Sequence, residues 1–116
     1  MKKTITLLTF LVVVLFAACS KKSTSGTTVK EKPTVYTADV LPLIQLKCAP
    51  CHLPSKGGFK ANFENYASAT KYGPDMLIRI QLNPSDRGFM PFKNEKLSAE
   101  EIILFKKWVA GGMLEK

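Results

Sequence analysis

The run Cys48-Ala49-Pro50-Cys51-His52 constrains this chain more than any other segment, because it gathers two of the three cysteines and the sole histidine into five residues. Sulfur and imidazole this close in sequence can serve thiol redox chemistry, metal binding or covalent attachment of a prosthetic group. A thioredoxin-like pair calls for a βαβ context with the first cysteine at a helix N-terminus. No such pattern surrounds Cys48. A structural zinc site calls for four N or S ligands, whereas Cys48, Cys51 and His52 offer three and no second pair follows. Coincidence in a cysteine-poor chain is the remaining bland reading.

The spacing C-x-x-C-H is that of c-type haem attachment. In such a site two sulfurs form thioethers to the porphyrin vinyl carbons, and the adjacent imidazole reaches the iron from one face. Adjacency is a physical need, since the attached ring must lie over the histidine nitrogen within one turn of chain. The expectation is one covalent haem c held by Cys48 and Cys51, with His52 as an iron ligand.

The start of the chain reads as an address. Lys2 and Lys3 precede a run from Ile5 to Phe16 that is apolar except at Thr6 and Thr9, and Phe16-Ala17-Ala18-Cys19 then brings small residues to a cysteine. A spanning helix needs about 20 apolar residues; this shorter run fits a signal peptide, residues 1–18. Its end resembles the lipobox of bacterial lipoproteins, which implies cleavage before Cys19 and acylation there, although Phe16 is a less typical residue than leucine at its place. Ordinary secretion, with Cys19 removed or left free, is the alternative. With lipid on Cys19 and haem on Cys48 and Cys51, no cysteine is left for a disulfide. Haem attachment through thioethers takes place outside the bacterial cytoplasm, so both features point to the periplasmic side of the cell envelope, with a lipid anchor in a membrane.

Residues 19–34 form the lipidated cysteine and a linker. Lysines 21, 22, 30 and 32 alternate there with Ser, Thr and Gly, and Val29 is its one large apolar residue. Such a composition buries no core, and its length gives a flexible reach on the order of 20 Å. Residues 35–116 are expected to form a single small domain. Domains of this size bury limited apolar area and often rely on a staple, a part that a covalently held apolar disc can fill.

The pattern is helical, and no useful run of alternation suggests strands. Thr37 is placed to cap a helix through Lys47, with Val40, Leu41 and Ile44 at helical spacing and Pro42 marking where regular bonding starts or bends. Gly57-Gly58 marks a turn. Asn62 is expected to cap a second helix from Phe63 to Tyr72 that Gly73 closes, and Pro74 to open a short third one to Leu82. Ser98 and Glu101 form an S-x-x-E capping box with Leu97 and Ile102 in the staple positions. The helix they start presents Leu104 and Trp108 on one face and stops at Gly111-Gly112. The fold class is all-α.

A second iron ligand is sought among Met76, Met90 and Met113. Met76 falls in a helix and reads as core; Met113 falls in a frayed tail. Met90 lies in a Pro- and Gly-punctuated loop, Asn83 to Phe92, from which a side chain can reach the face opposite His52. Hydrophobic filling is its bland alternative.

Taken together, Cys48, Cys51 and His52 after an amphipathic helix, Met90-Pro91 in a later loop and a terminal helix bearing Trp108 resemble the small monohaem class I c-type cytochromes. The resemblance spans about residues 35–116. It implies a small helical domain packed around one haem c, His52 and Met90 as the two axial ligands, and first and last helices that cross so that Val40 and Ile44 pack near Leu104 and Trp108. The middle region is compact for that family, which leaves the propionate contacts open; Arg79 and Arg87 are the candidates.

Histidine and methionine together raise a haem potential and leave iron no position for substrate. The resemblance therefore implies a membrane-tethered periplasmic electron carrier rather than an enzyme. If Met90 does not ligate, the alternative is a five-coordinate haem sensor or a peroxidase-like enzyme; no second histidine and no evident acid-base pair supports peroxide chemistry. A thiol redox pair without haem is a third reading. The net charge of +8 falls to +6 once Lys2 and Lys3 are gone. Lysines 47, 56, 60, 93 and 96 flank the motif or the Met90 loop and would suit redox partner proteins with acidic docking surfaces, although lysine for solubility explains them equally. The charge is dispersed, and nothing supports binding of nucleic acid.

Overall fold

Tyr36, Val40 and Ile44 recur at every fourth residue, and all three side chains are buried. That interval is a little longer than the 3.6 residues of an α-helical turn. The chain accommodates it with a π-helical turn, Tyr36–Val40, that runs straight into α1, Leu41–Lys47. The Val40 amide reaches back to the Val35 carbonyl at 3.3 Å. Pro42 sits just inside the regular part, where the handover from one hydrogen-bonding pattern to the other leaves its missing N–H harmless. This computed structural model describes residues 31–116; the signal segment, Cys19 and the linker as far as Lys30 lie outside the described residues.

Thr37 is not the cap that the sequence suggested. Val35 precedes the first turn, and its own amide is taken by the Asp39 carboxylate at 2.8 Å. Thr37 instead donates from its amide and its hydroxyl to the Glu115 carbonyl, at 3.0 and 2.9 Å. The Tyr36 amide donates to the Leu114 carbonyl at 2.8 Å. The C-terminal segment is thereby bound along the first turn.

A 3₁₀ turn, Pro54–Lys56, follows the motif. One helix then replaces the two that the glycine and proline suggested: α2 spans Tyr66–Gln81 with Gly73 and Pro74 inside it. Gly73 is there because of what lies against it. A Cβ at this position would sit 2.7 Å from Met113 Sδ and 3.2 Å from Trp108 Cζ3, so it admits the indole rather than ending the helix. Pro74 removes one helical N–H, and the buried Thr70 hydroxyl one turn earlier has no hydrogen-bond partner among the described residues. The cap also differs. Asn65 Oδ1 accepts from the Ser68 amide at 3.0 Å and starts the helix, whereas Asn62 Oδ1 accepts from the Glu64 amide at 2.9 Å and closes a local turn.

The last helix, α3, spans Ala99–Ala110 and carries both halves of the expected capping box. The Glu101 amide donates to Ser98 Oγ at 3.2 Å, and the Ser98 amide donates to Glu101 Oε2 at 2.8 Å. Beyond it, the Gly112 amide bonds the Val109 carbonyl and the Met113 amide the Trp108 carbonyl, at 3.3 and 2.8 Å, the two bonds of a Schellman ending. Met113 is therefore packed, not frayed, and its carbonyl accepts from Tyr66 Oη at 2.9 Å.

These elements enclose one core in which Val40, Ile44, Met76, Ile80, Phe105 and Trp108 are buried, with Leu104 packed against it. Trp108 is its centre, fully buried, with ring centroids 5.5 Å from Phe105 and 6.0 Å from Tyr36. The described residues contain no β-strand, and the fold is all-α. None of the described helices is long and apolar enough to cross a membrane.

Candidate functional site

Cys48 ends α1, its amide still bonded to the Ile44 carbonyl at 2.8 Å. The motif then curls into a tight loop. The His52 amide reaches the Cys48 carbonyl at 3.2 Å, and the Leu53 amide the Pro50 carbonyl at 3.0 Å. Residues downstream brace the loop: the Lys60 amide donates to the Cys51 carbonyl and the Phe63 amide to the His52 carbonyl, both at 3.0 Å. Gly58 makes this possible by close approach, since a Cβ there would collide with the Pro50 and Cys51 carbonyl oxygens. Tyr36 Oη donates to the Phe63 carbonyl at 2.7 Å and joins the brace to the first helical turn. Burial pushes the Tyr36 hydroxyl above its usual range, with the Glu64 and Glu115 carboxylates acting in the same direction.

The imidazole of His52 is fixed from two sides. Its Nδ1 lies 2.9 Å from the Ala61 carbonyl, a partner that can only accept, so Nδ1 is the donor, and Nε2 is the nitrogen that bears the lone pair in the neutral ring. Its ring stacks on Phe63 with centroids 4.1 Å apart and planes 4° from parallel. A carbonyl-bonded, oriented imidazole is how proteins present histidine to a metal.

Cys48, Cys51, His52 and Met90 all line one recess, with Ile80, Pro91, Phe92 and Leu97 among the apolar residues around them. Its empty volume is about 380 Å³, including space open to solvent. Met76 and Met113 do not line it. Met76 is buried in α2, and Met113 faces Gly73. The Met90 loop is anchored on α2 through the Met90 amide, which donates to the Arg79 carbonyl at 3.3 Å. Asn94, just past the loop, donates to the Lys47 and Ala49 carbonyls.

Both thiols are unpaired. Burial pushes the Cys48 thiol up to about 11, opposite in direction to the depressed values of nucleophilic cysteines. Among the described residues, no group of three or more His, Cys, Asp and Glu side chains is arranged to hold a metal ion.

Some of the charged side chains near the site are engaged elsewhere. Arg79 and Arg87 line a different recess, with Asp75, Leu82 and Gly88, because Arg79 Nε is drawn 2.7 Å from Asp75 Oδ2 one turn away. Nor are all five lysines free for docking. Lys47 pairs with Glu101 at 3.3 Å, and Lys96 donates to the Leu82 carbonyl at 2.8 Å. Lys60 and Lys93 lean over the exposed rings of Phe59 and Phe92. Sequence reasoning missed Ala61, Phe63, Phe92 and Asn94 around the site. They act through a carbonyl, a stacked ring and side-chain amide bonds to distant backbone, none of which has a local sequence signature.

In comparison with known proteins, the chain matches no protein-family model, no curated protein and no solved structure.

Proposed function

We propose that this protein is a periplasmic electron carrier, tethered to a membrane through lipid on Cys19, that holds one haem c on Cys48 and Cys51 with His52 and Met90 as its axial ligands. The observation that carries this reading is the recess shared by those four side chains, with His52 Nδ1 bonded to a carbonyl and Nε2 left to coordinate. The residues fit the group: two unpaired thiols at the attachment spacing, an oriented imidazole, a thioether, and a lining that is apolar apart from Lys47 and Asn94 and has no carboxylate in it. Bound there, haem would supply a one-electron couple at its iron. The chain's own part is to hold its ligands still and keep water away. The stacked Phe63 and the Ala61 carbonyl fix the His52 plane, and the buried Leu97 and Ile80 exclude solvent from one wall.

Optical spectroscopy on protein exported from a host that matures c-type cytochromes tests the reading. A c-type reduced spectrum that survives denaturation, with little response to carbon monoxide, is the expected result. Ready carbon monoxide binding would favour a five-coordinate sensor or peroxidase-like enzyme, and absence of pigment would leave only a haem-free reading.

The anchor has its own test. Stable anchoring takes more than one acyl chain, since each buried CH₂ contributes about 0.8 kcal/mol and a single chain binds marginally. Cys19→Ser should move the protein from the membrane to the soluble fraction, and unchanged fractionation would defeat the lipoprotein assignment.

A further inference from the structure

We propose that Asn94 is the latch that holds Met90 over the recess, so that releasing it opens the methionine side to small exogenous ligands. The inference rests on the proposed function for its ligand chemistry, but its geometry stands alone. The last carbonyls of a helix have no partner within it. At the end of α1 the Lys47 carbonyl is such a group, and it and the Ala49 carbonyl two residues further on accept from one donor, Asn94 Nδ2, at 3.2 and 3.0 Å. The chain bends to make this contact. Lys93 adopts φ 65°, in the left-handed region that a non-glycine residue enters only when its surroundings hold it there.

The consequence follows from where the two ends of the segment are fixed. At its start, the Met90 amide is bound to the Arg79 carbonyl on α2. At its end, Asn94 is bound to the segment that carries Cys48. Between them, Met90, Pro91 and Phe92 form one wall of the recess that Cys51 and His52 line from the motif side. Pro91 is buried, and Phe92 is 66% exposed and gives the wall little packing on its outer side. The side-chain bonds of Asn94, which follows this wall, tie it directly to the end of α1. Asn94 is thus a positioning residue, acting on the site through the placement of Met90.

Two variants of the matured full-length protein separate a latch from a bystander. Asn94→Asp keeps the shape but turns a donor into an acceptor facing two carbonyls; Asn94→Ala removes the donor without adding charge. Amide hydrogen exchange across residues 88–94 and the rate of carbon monoxide binding to the reduced protein are measured together. In both variants exchange in 88–94 should rise several-fold to about tenfold, the range that loss of an exposed hydrogen bond implies. Carbon monoxide binding should speed up by a similar factor, while exchange in α3 stays at the wild-type value. Unchanged exchange in 88–94 would overturn the latch, as would faster exchange with no change in carbon monoxide binding. If wild-type protein carried no haem the proposed function would fall, and exchange in 88–94 alone would still decide whether Asn94 holds the segment down.

Discussion

Met90→Ala is expected to leave the haem attached through Cys48 and Cys51 but to open one side of the iron. The reduced variant should bind carbon monoxide readily, and its potential should drop by a sizeable part of the roughly 0.8 V over which axial ligands set haem potentials. The direction follows from chemistry: a thioether opposite histidine favours the ferrous state, and alanine offers no replacement. The structure sharpens the test. Met76 is buried in α2 and Met113 is packed against Gly73, so neither methionine can take over without repacking the core. A variant with unchanged potential and no new ligand binding would show that Met90 merely fills space. Redox titration and a carbon monoxide difference spectrum measure both outcomes on one sample.

Trp108→Ala should be the most damaging single change to the fold. The side chain is 0% exposed. Its ring meets Phe105, Tyr36 and the gap left by Gly73. Its Nε1 donates to the Leu114 carbonyl at 3.0 Å, so removal also takes away one of the ties on the C-terminal segment bound along Tyr36 and Thr37. Truncating a buried tryptophan costs about 3–5 kcal/mol, a large share of the about 5–15 kcal/mol that holds a typical domain together. Urea denaturation of protein with the same haem content should show that loss. A cost below about 1 kcal/mol, the scale of ordinary surface substitutions, would mean that Trp108 does not centre the core.

What could be read from the sequence divides along the range of the interactions. The capping box of Ser98 and Glu101 was legible because both partners lie within four residues and answer only to local backbone. The resemblance implies that Val40 and Ile44 pack with Leu104 and Trp108, and the structure has Val40, Ile44 and Trp108 in one core with Leu104 packed against it. Gly73-Pro74 misled because local punctuation is overridden when a distant side chain claims the site: the indole of Trp108 occupies the space a Cβ would need, and α2 runs on through it. The C-terminal tail was misjudged for the same reason, since its ties to Tyr36, Thr37 and Tyr66 span most of the domain. Asn62 and Asn65 show how small the margin is. Each accepts a backbone hydrogen bond, and only the donating residue, Glu64 or Ser68, decides which one starts the helix.

The candidate site divides in the same way. Cys48, Cys51 and His52 are adjacent in sequence, and their chemistry could be argued from spacing alone. Met90 was a candidate from its loop position, strengthened by a family resemblance, and the recess it lines together with them is a product of tertiary structure. The carbonyl of Ala61, the ring of Phe63 and the amide of Asn94 carry no mark in the sequence, because what matters is where the backbone brings them.

The most direct test of the whole account is the intact mass of the polypeptide after export through a c-type maturation system, taken under denaturing conditions. The account predicts a red protein whose domain fragment, residues 35–116, is heavier than its sequence by one haem, with the added mass lost when Cys48 and Cys51 are both changed to serine. A colourless product at the bare polypeptide mass from the same host would contradict it.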